Sequence, residues 1–76
     1  MATVPNPTAA LLSLMAWRKA LREQLQTTRD LGMEVHPEDP VMFRWQTQTL
    51  RYYAGQIIAG EPAEWQKPPF DRWARR

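Results

Sequence analysis

His36 stands among three carboxylates, Glu34, Glu38 and Asp39, and this is where the chain comes nearest to a metal or acid–base site. An imidazole with neighbouring carboxylate oxygens can hold a divalent ion, and an imidazole titrates near neutrality. The group has no second histidine and no fixed ligand spacing. Acidic residues at the start of a helix are explained more simply by its dipole and its free N–H groups. No metal and no cofactor is expected. Nucleophilic catalysis has as little to draw on. Ser13 is the one serine, it falls within a helix distant from His36, and cysteine is absent. There is no glycine-rich phosphate loop, and so small a chain lacks the means to enclose a reaction cleft. An enzyme is the poorest reading.

Arginines and aromatics offer more. Arg18, Arg22, Arg29, Arg44 and Arg51 are spread along the helical part of the chain, and Arg72, Arg75 and Arg76 close it. Such a row can track a phosphate backbone, with Trp or Tyr stacking on bases. It can equally stay solvated, or pair with carboxylates of a protein partner. A net charge of only +2, with acids in the loop and tail, favours the latter. Large apolar residues at unexpected positions point the same way, because exposed patches of them usually mark interfaces. They are Leu12 and Met15 early in the chain, Trp45 and Tyr52 in its second half, and Trp65, Phe70 and Trp73 near its end.

The elements that carry these residues follow from local signals. Residues 1–7 read as an extended arm. Asn6 followed by Pro7 is an N-cap with proline at the first helical position. Strong helix formers then run to Leu31, and Gly32 supplies a left-handed stop. Residues 32–39 form an acidic loop. Asp39-Pro40 repeats the cap-plus-proline start, giving a second helix over 40–59 that Gly60 and Pro62 end. Residues 60–76 are a tail rich in proline and aromatics, and large aromatics are scarce in solvated linkers.

Advancing about 100° per residue places Ala10, Leu14, Trp17, Leu21, Leu25 and Thr28 on one stripe of helix 1. The same count places Phe43, Gln46, Leu50, Ala54 and Ile57 on one stripe of helix 2. Each helix is marginal alone, so the stripes should bury each other. A short loop makes the two antiparallel neighbours. Leu21, Leu25, Leu50 and Ile57 are the expected seam.

On that hairpin the five helical arginines share one flank, while Val41, Trp45 and Tyr52 stand on the back of helix 2. The opposite flank carries Ser13, Ala16, Ala20, Gln24, Thr27, Met42, Thr49 and Gln56, with no charge at all. A tail folded back on the hairpin could cover one apolar patch, but hardly all of them.

Composition bounds the rest. Seventy-six residues make a single small domain, 43% hydrophobic with four tryptophans, and without a disulfide to staple it. A domain of this size buries only ~60% of the surface its unfolded chain exposes. The uncharged stretch Met1–Trp17 is interrupted by Pro5, Asn6 and Pro7, so neither a bilayer span nor a signal peptide is expected. Arginine outnumbers lysine eight to two, a bias that suits a GC-rich bacterial or bacteriophage coding sequence.

The expected fold is all-α: an antiparallel two-helix hairpin with a proline- and aromatic-rich tail. The expected function is non-catalytic binding to protein, as a small subunit, accessory factor or inhibitor within a larger assembly, or pairing with a second copy. Its expected place is the cytoplasm, or a virion if the source is a phage. The alternative is a nucleic-acid-associated protein using the arginine flank. Leu12, Met15, Trp45, Tyr52, Trp65, Phe70 and Trp73 are the candidate contact residues.

Overall fold

The computed structural model describes residues 2–70, so Trp73, Arg72, Arg75 and Arg76 lie outside the described residues. Two helices pack against each other: α1 over Pro7–Asp30 and α2 over Glu38–Ala59. Local chemistry sets most of their ends. Asn6 accepts the Ala9 N–H through its side-chain oxygen at 3.0 Å, satisfying one of the free donors of α1. Both helices stop at a glycine in the left-handed region, Gly32 at φ +68 and Gly60 at φ +70, where a Cβ would be strained. Beyond each glycine the next N–H reaches back to the last turn, Met33 to the Thr28 carbonyl and Glu61 to the Gln56 carbonyl. These are Schellman closures.

The start of α2 differs from the expected Asp39-Pro40 cap. The helix begins at Glu38, and Asp39 sits buried inside its first turn. His36 does the capping instead: its Nδ1 accepts the Glu38 N–H at 3.1 Å, and its carbonyl accepts the Asp39 N–H at 3.0 Å. Asp39 also accepts a long hydrogen bond from Gln24 Nε2 across the helices, at 3.4 Å.

Apolar packing falls into two clusters. One joins Val4, Leu14, Tyr53 and Ala63; the other joins Leu21, Leu25 and Met42. The expected α1 stripe is the one observed, with Leu14, Leu21 and Leu25 buried and Ala10, Trp17 and Thr28 half-buried.

On α2 the expected stripe is displaced. The buried residues are Asp39, Met42, Gln46, Thr49 and Tyr53. Of the expected stripe only Gln46 is fully buried; Phe43, Leu50 and Ala54 are half-buried and Ile57 is exposed. The burial centre has turned by about 60° on the helical wheel. The cause is a third body. The tail returns along α2, so that helix is covered by α1 on one side and by the tail on the other.

Several hydrogen bonds hold that return. Gln56 Nε2 donates to the Pro62 carbonyl at 2.7 Å, and the Glu64 N–H donates to the Tyr52 hydroxyl at 2.9 Å. The arm joins in: the Val4 N–H donates to the Ala63 carbonyl at 2.8 Å and the Trp65 N–H to the Ala2 carbonyl at 3.0 Å. They flank an antiparallel bridge between Thr3 and Glu64. Ala63 is wholly buried beneath this crossing, and further on Phe70 packs against the Leu21–Leu25–Met42 cluster. Of the uncharged flank the α2 part is covered, with Met42 and Thr49 buried and Gln56 half-buried, while Ser13, Ala16, Ala20, Gln24 and Thr27 on α1 stay exposed. A main chain can be laid on the α2 part without stranding a charge.

Candidate functional site

Between the uncharged flank and the returning tail lies an open cleft of about 590 Å³. Trp17 and Trp45 form its inner wall, with ring centroids 5.9 Å apart and planes at 67°, an edge-to-face contact. Trp65 from the tail forms the outer wall and is 64% exposed. Tyr53 and Leu14 make the floor, Pro68 stands at the rim, and Ser13, Thr49 and Gln66 supply the polar groups. No charged side chain lines it among the described residues. The volume falls within the range of ligand and side-chain pockets, which are apolar with a few placed polar groups.

The phenol of Tyr53 is a buried neighbour of this cleft, not a base within it. Burial pushes its pKa above the ordinary 10.0; a backbone hydrogen bond from Gln66 pulls the other way, and Tyr52 beside it pushes up again. The hydroxyl is therefore neutral through the physiological range.

The structure redistributes the other sequence-predicted residues. Trp45 and Tyr52, expected on an exposed back face, are half-buried and pack against the Leu14–Tyr53 cluster, because the α2 face has turned toward the tail. Trp45 lines the cleft; Tyr52 holds the tail. Of the candidate contact residues in the tail, Phe70 is half-buried and Trp65 stands out into solvent. Leu12, Met15 and Val41 are exposed, at 60%, 48% and 41%.

The arginine flank is divided by the same rotation. Arg18, Arg22 and Arg29 keep their place beside the α1 stripe. Arg44 and Arg51, both exposed, come to lie about 160–180° from the buried centre of α2, on its solvent side. Arg18 is fixed: Nε donates to Thr47 Oγ1 at 2.8 Å, and the guanidinium lies 4.6 Å from the Phe43 ring centroid. His36 is engaged at the start of α2, where its Nδ1 accepts the Glu38 N–H, and no three metal-ligating side chains converge among the described residues.

Thr49, Tyr53, Gln66 and Ser13 were not singled out as site residues by sequence reasoning. A signal for this flank exists all the same, in its complete lack of charge.

Neither helix is long and apolar enough to cross a membrane. No protein-family model matches the chain, and no curated protein or solved structure matches it either.

Proposed function

We propose that the chain is an antiparallel helical hairpin strapped by its own tail, and that it serves as a non-catalytic protein-binding module. It would act as a small subunit, accessory factor or inhibitor within a larger assembly. Pairs across the helices run in opposite chain order, Arg18 with Thr47 and Gln24 with Asp39, which supports the antiparallel arrangement.

The observation that carries the binding reading is the cleft: three indoles around about 590 Å³, open to solvent and with no charged side chain in its lining among the described residues. Tryptophan is among the residue types most often dominant in interfaces. An uncharged, extended stretch of a partner protein bearing proline or aromatic side chains matches this lining, as Pro68 of the protein's own tail already does at the rim. A phosphate-bearing ligand would find no cation among the described residues that line it, and its desolvation would go uncompensated by them.

The test begins with capture of partners by the full chain, with and without nuclease, followed by titration against the purified partner. Trp65→Ala is the main variant because its ring is already largely exposed. It should weaken binding by ~2 kcal/mol, mainly through faster dissociation. A complex that dissolves under nuclease, weakens steeply with salt and ignores Trp65→Ala would replace this reading with the nucleic-acid one.

A further inference from the structure

A packed pair of helices has a groove on each side of its contact line. The tail fills one of them here. The other is lined by Leu11, Met15, Arg18 and Arg22 from α1, spaced four, three and four residues apart, and by Leu50, Ala54 and Ile57 from α2, spaced four and three. Those spacings form the ridges against which another helix packs. Leu11 and Leu50 press their inner sides on the Val4–Leu14–Tyr53–Ala63 cluster and are only half-buried, while Met15 is 48% and Ile57 36% exposed.

We infer that this second groove is a docking site for an amphipathic helix of a partner protein that carries carboxylates along one half of its apolar face. The charge pattern commits the occupant. The end of the groove near the α1–α2 loop bears Arg18, Arg22 and, two turns further, Arg29, and the groove-lining residues include no acid. The opposite end is apolar.

Arg18 is already set for the purpose. Thr47 takes its Nε and in turn donates to the Phe43 carbonyl at 3.0 Å, so the guanidinium is held between a hydrogen bond and an aromatic face. Its terminal nitrogens make no hydrogen bond among the described residues. A fixed guanidinium whose outer donors are not taken by any of the described residues matches a carboxylate, because little side-chain freedom remains to be lost. A second copy of this chain would bring arginines to the groove in place of carboxylates. This surface lies on the flank away from the Trp45–Trp65 cleft, and the two readings stand or fall separately.

The probe is a synthetic amphipathic helix of about eighteen residues, with a leucine–alanine stripe and glutamates clustered in one half. A control peptide carries lysine at each glutamate. Each is titrated into the isotope-labelled full chain and followed by backbone and arginine-Nε NMR. Saturable shifts are expected at Leu11, Met15, Arg18 and Ala54 with the glutamate peptide. Arg22→Glu alters an exposed side chain and is checked for retained helicity; it should weaken that peptide by about tenfold or more and favour the lysine peptide. Equal binding of both peptides, shifts confined to the Trp45 and Trp65 indoles, or self-association through the same residues would each overturn the inference.

Discussion

The hydroxyl of Tyr52 accepts the Glu64 N–H at 2.9 Å, so a side chain of α2 takes up a main-chain donor of the tail. The Tyr52 ring meanwhile lies 5.7 Å from that of Tyr53, against the core. Tyr52→Phe keeps the ring contact and removes only the bond. It should lower unfolding stability by ~0.5–1.5 kcal/mol, the net contribution of one such hydrogen bond. Hydrogen exchange at the Glu64 amide should accelerate, and unchanged protection there would mean the tail is held by other contacts.

Gln46 is wholly buried, and neither its Nε2 nor its Oε1 has a hydrogen-bond partner among the described residues. An unsatisfied buried amide carries a desolvation penalty of ~1–3 kcal/mol. Gln46→Met keeps nearly the same length and removes the polar atoms. Denaturant unfolding should shift to higher concentration, by ~1 kcal/mol or more. A lower midpoint would show that the amide is satisfied in solution.

Leu21 and Leu50 were both expected in the seam, yet only Leu21 is fully buried. Leu21→Ala should destabilise by ~2–5 kcal/mol. Leu50→Ala should remove roughly 1–2 kcal/mol, since less of its surface leaves water on folding. Thermal unfolding of the two variants side by side reads the difference. Equal losses would restore the stripe centred on Leu50.

Burial raises the Tyr53 pKa above its ordinary 10.0. Below pH ~10 the phenol is protonated in both folded and unfolded chains, and its contribution is fully present. As pH rises past that point, the unfolded chain releases its proton first. Stability therefore falls until the folded pKa is passed. Urea midpoints measured from neutral to strongly alkaline pH should show this decline, and Tyr53→Phe should flatten it. A decline of the same steepness in the variant would assign it to another group.

The helices were legible because their limits are local. Asn6-Pro7, Gly32 and Gly60 act through backbone angles and free N–H groups within one turn, and no distant residue is needed to place them. The α1 stripe was legible too: its three buried leucines, Leu14, Leu21 and Leu25, all pack against residues of α2, and the arm and tail close on the same stripe without turning it. While Ser13, Ala16, Ala20, Gln24 and Thr27 of the uncharged flank stay exposed on α1, the missing charge at Met42 and Thr49 marked a part of α2 that is covered. What covers it was not local. The tail reaches that flank through contacts between residues far apart in the chain, such as Val4 with Ala63, Tyr52 with Glu64, and Phe70 with the Leu21 cluster. Periodicity counts which residues share a face, but it does not say how many bodies that face must serve. With two bodies packed on α2, the most buried residues are those between them, Met42, Gln46, Thr49 and Tyr53, and the whole wheel turns accordingly. That turn drew Trp45 into the cleft wall, left Ile57 at a groove's edge, and parted Arg44 and Arg51 from Arg18, Arg22 and Arg29. The sequence alone determined the two helices and their charge pattern; the returning tail decided which of their faces remained open, because burial depends on every neighbour at once.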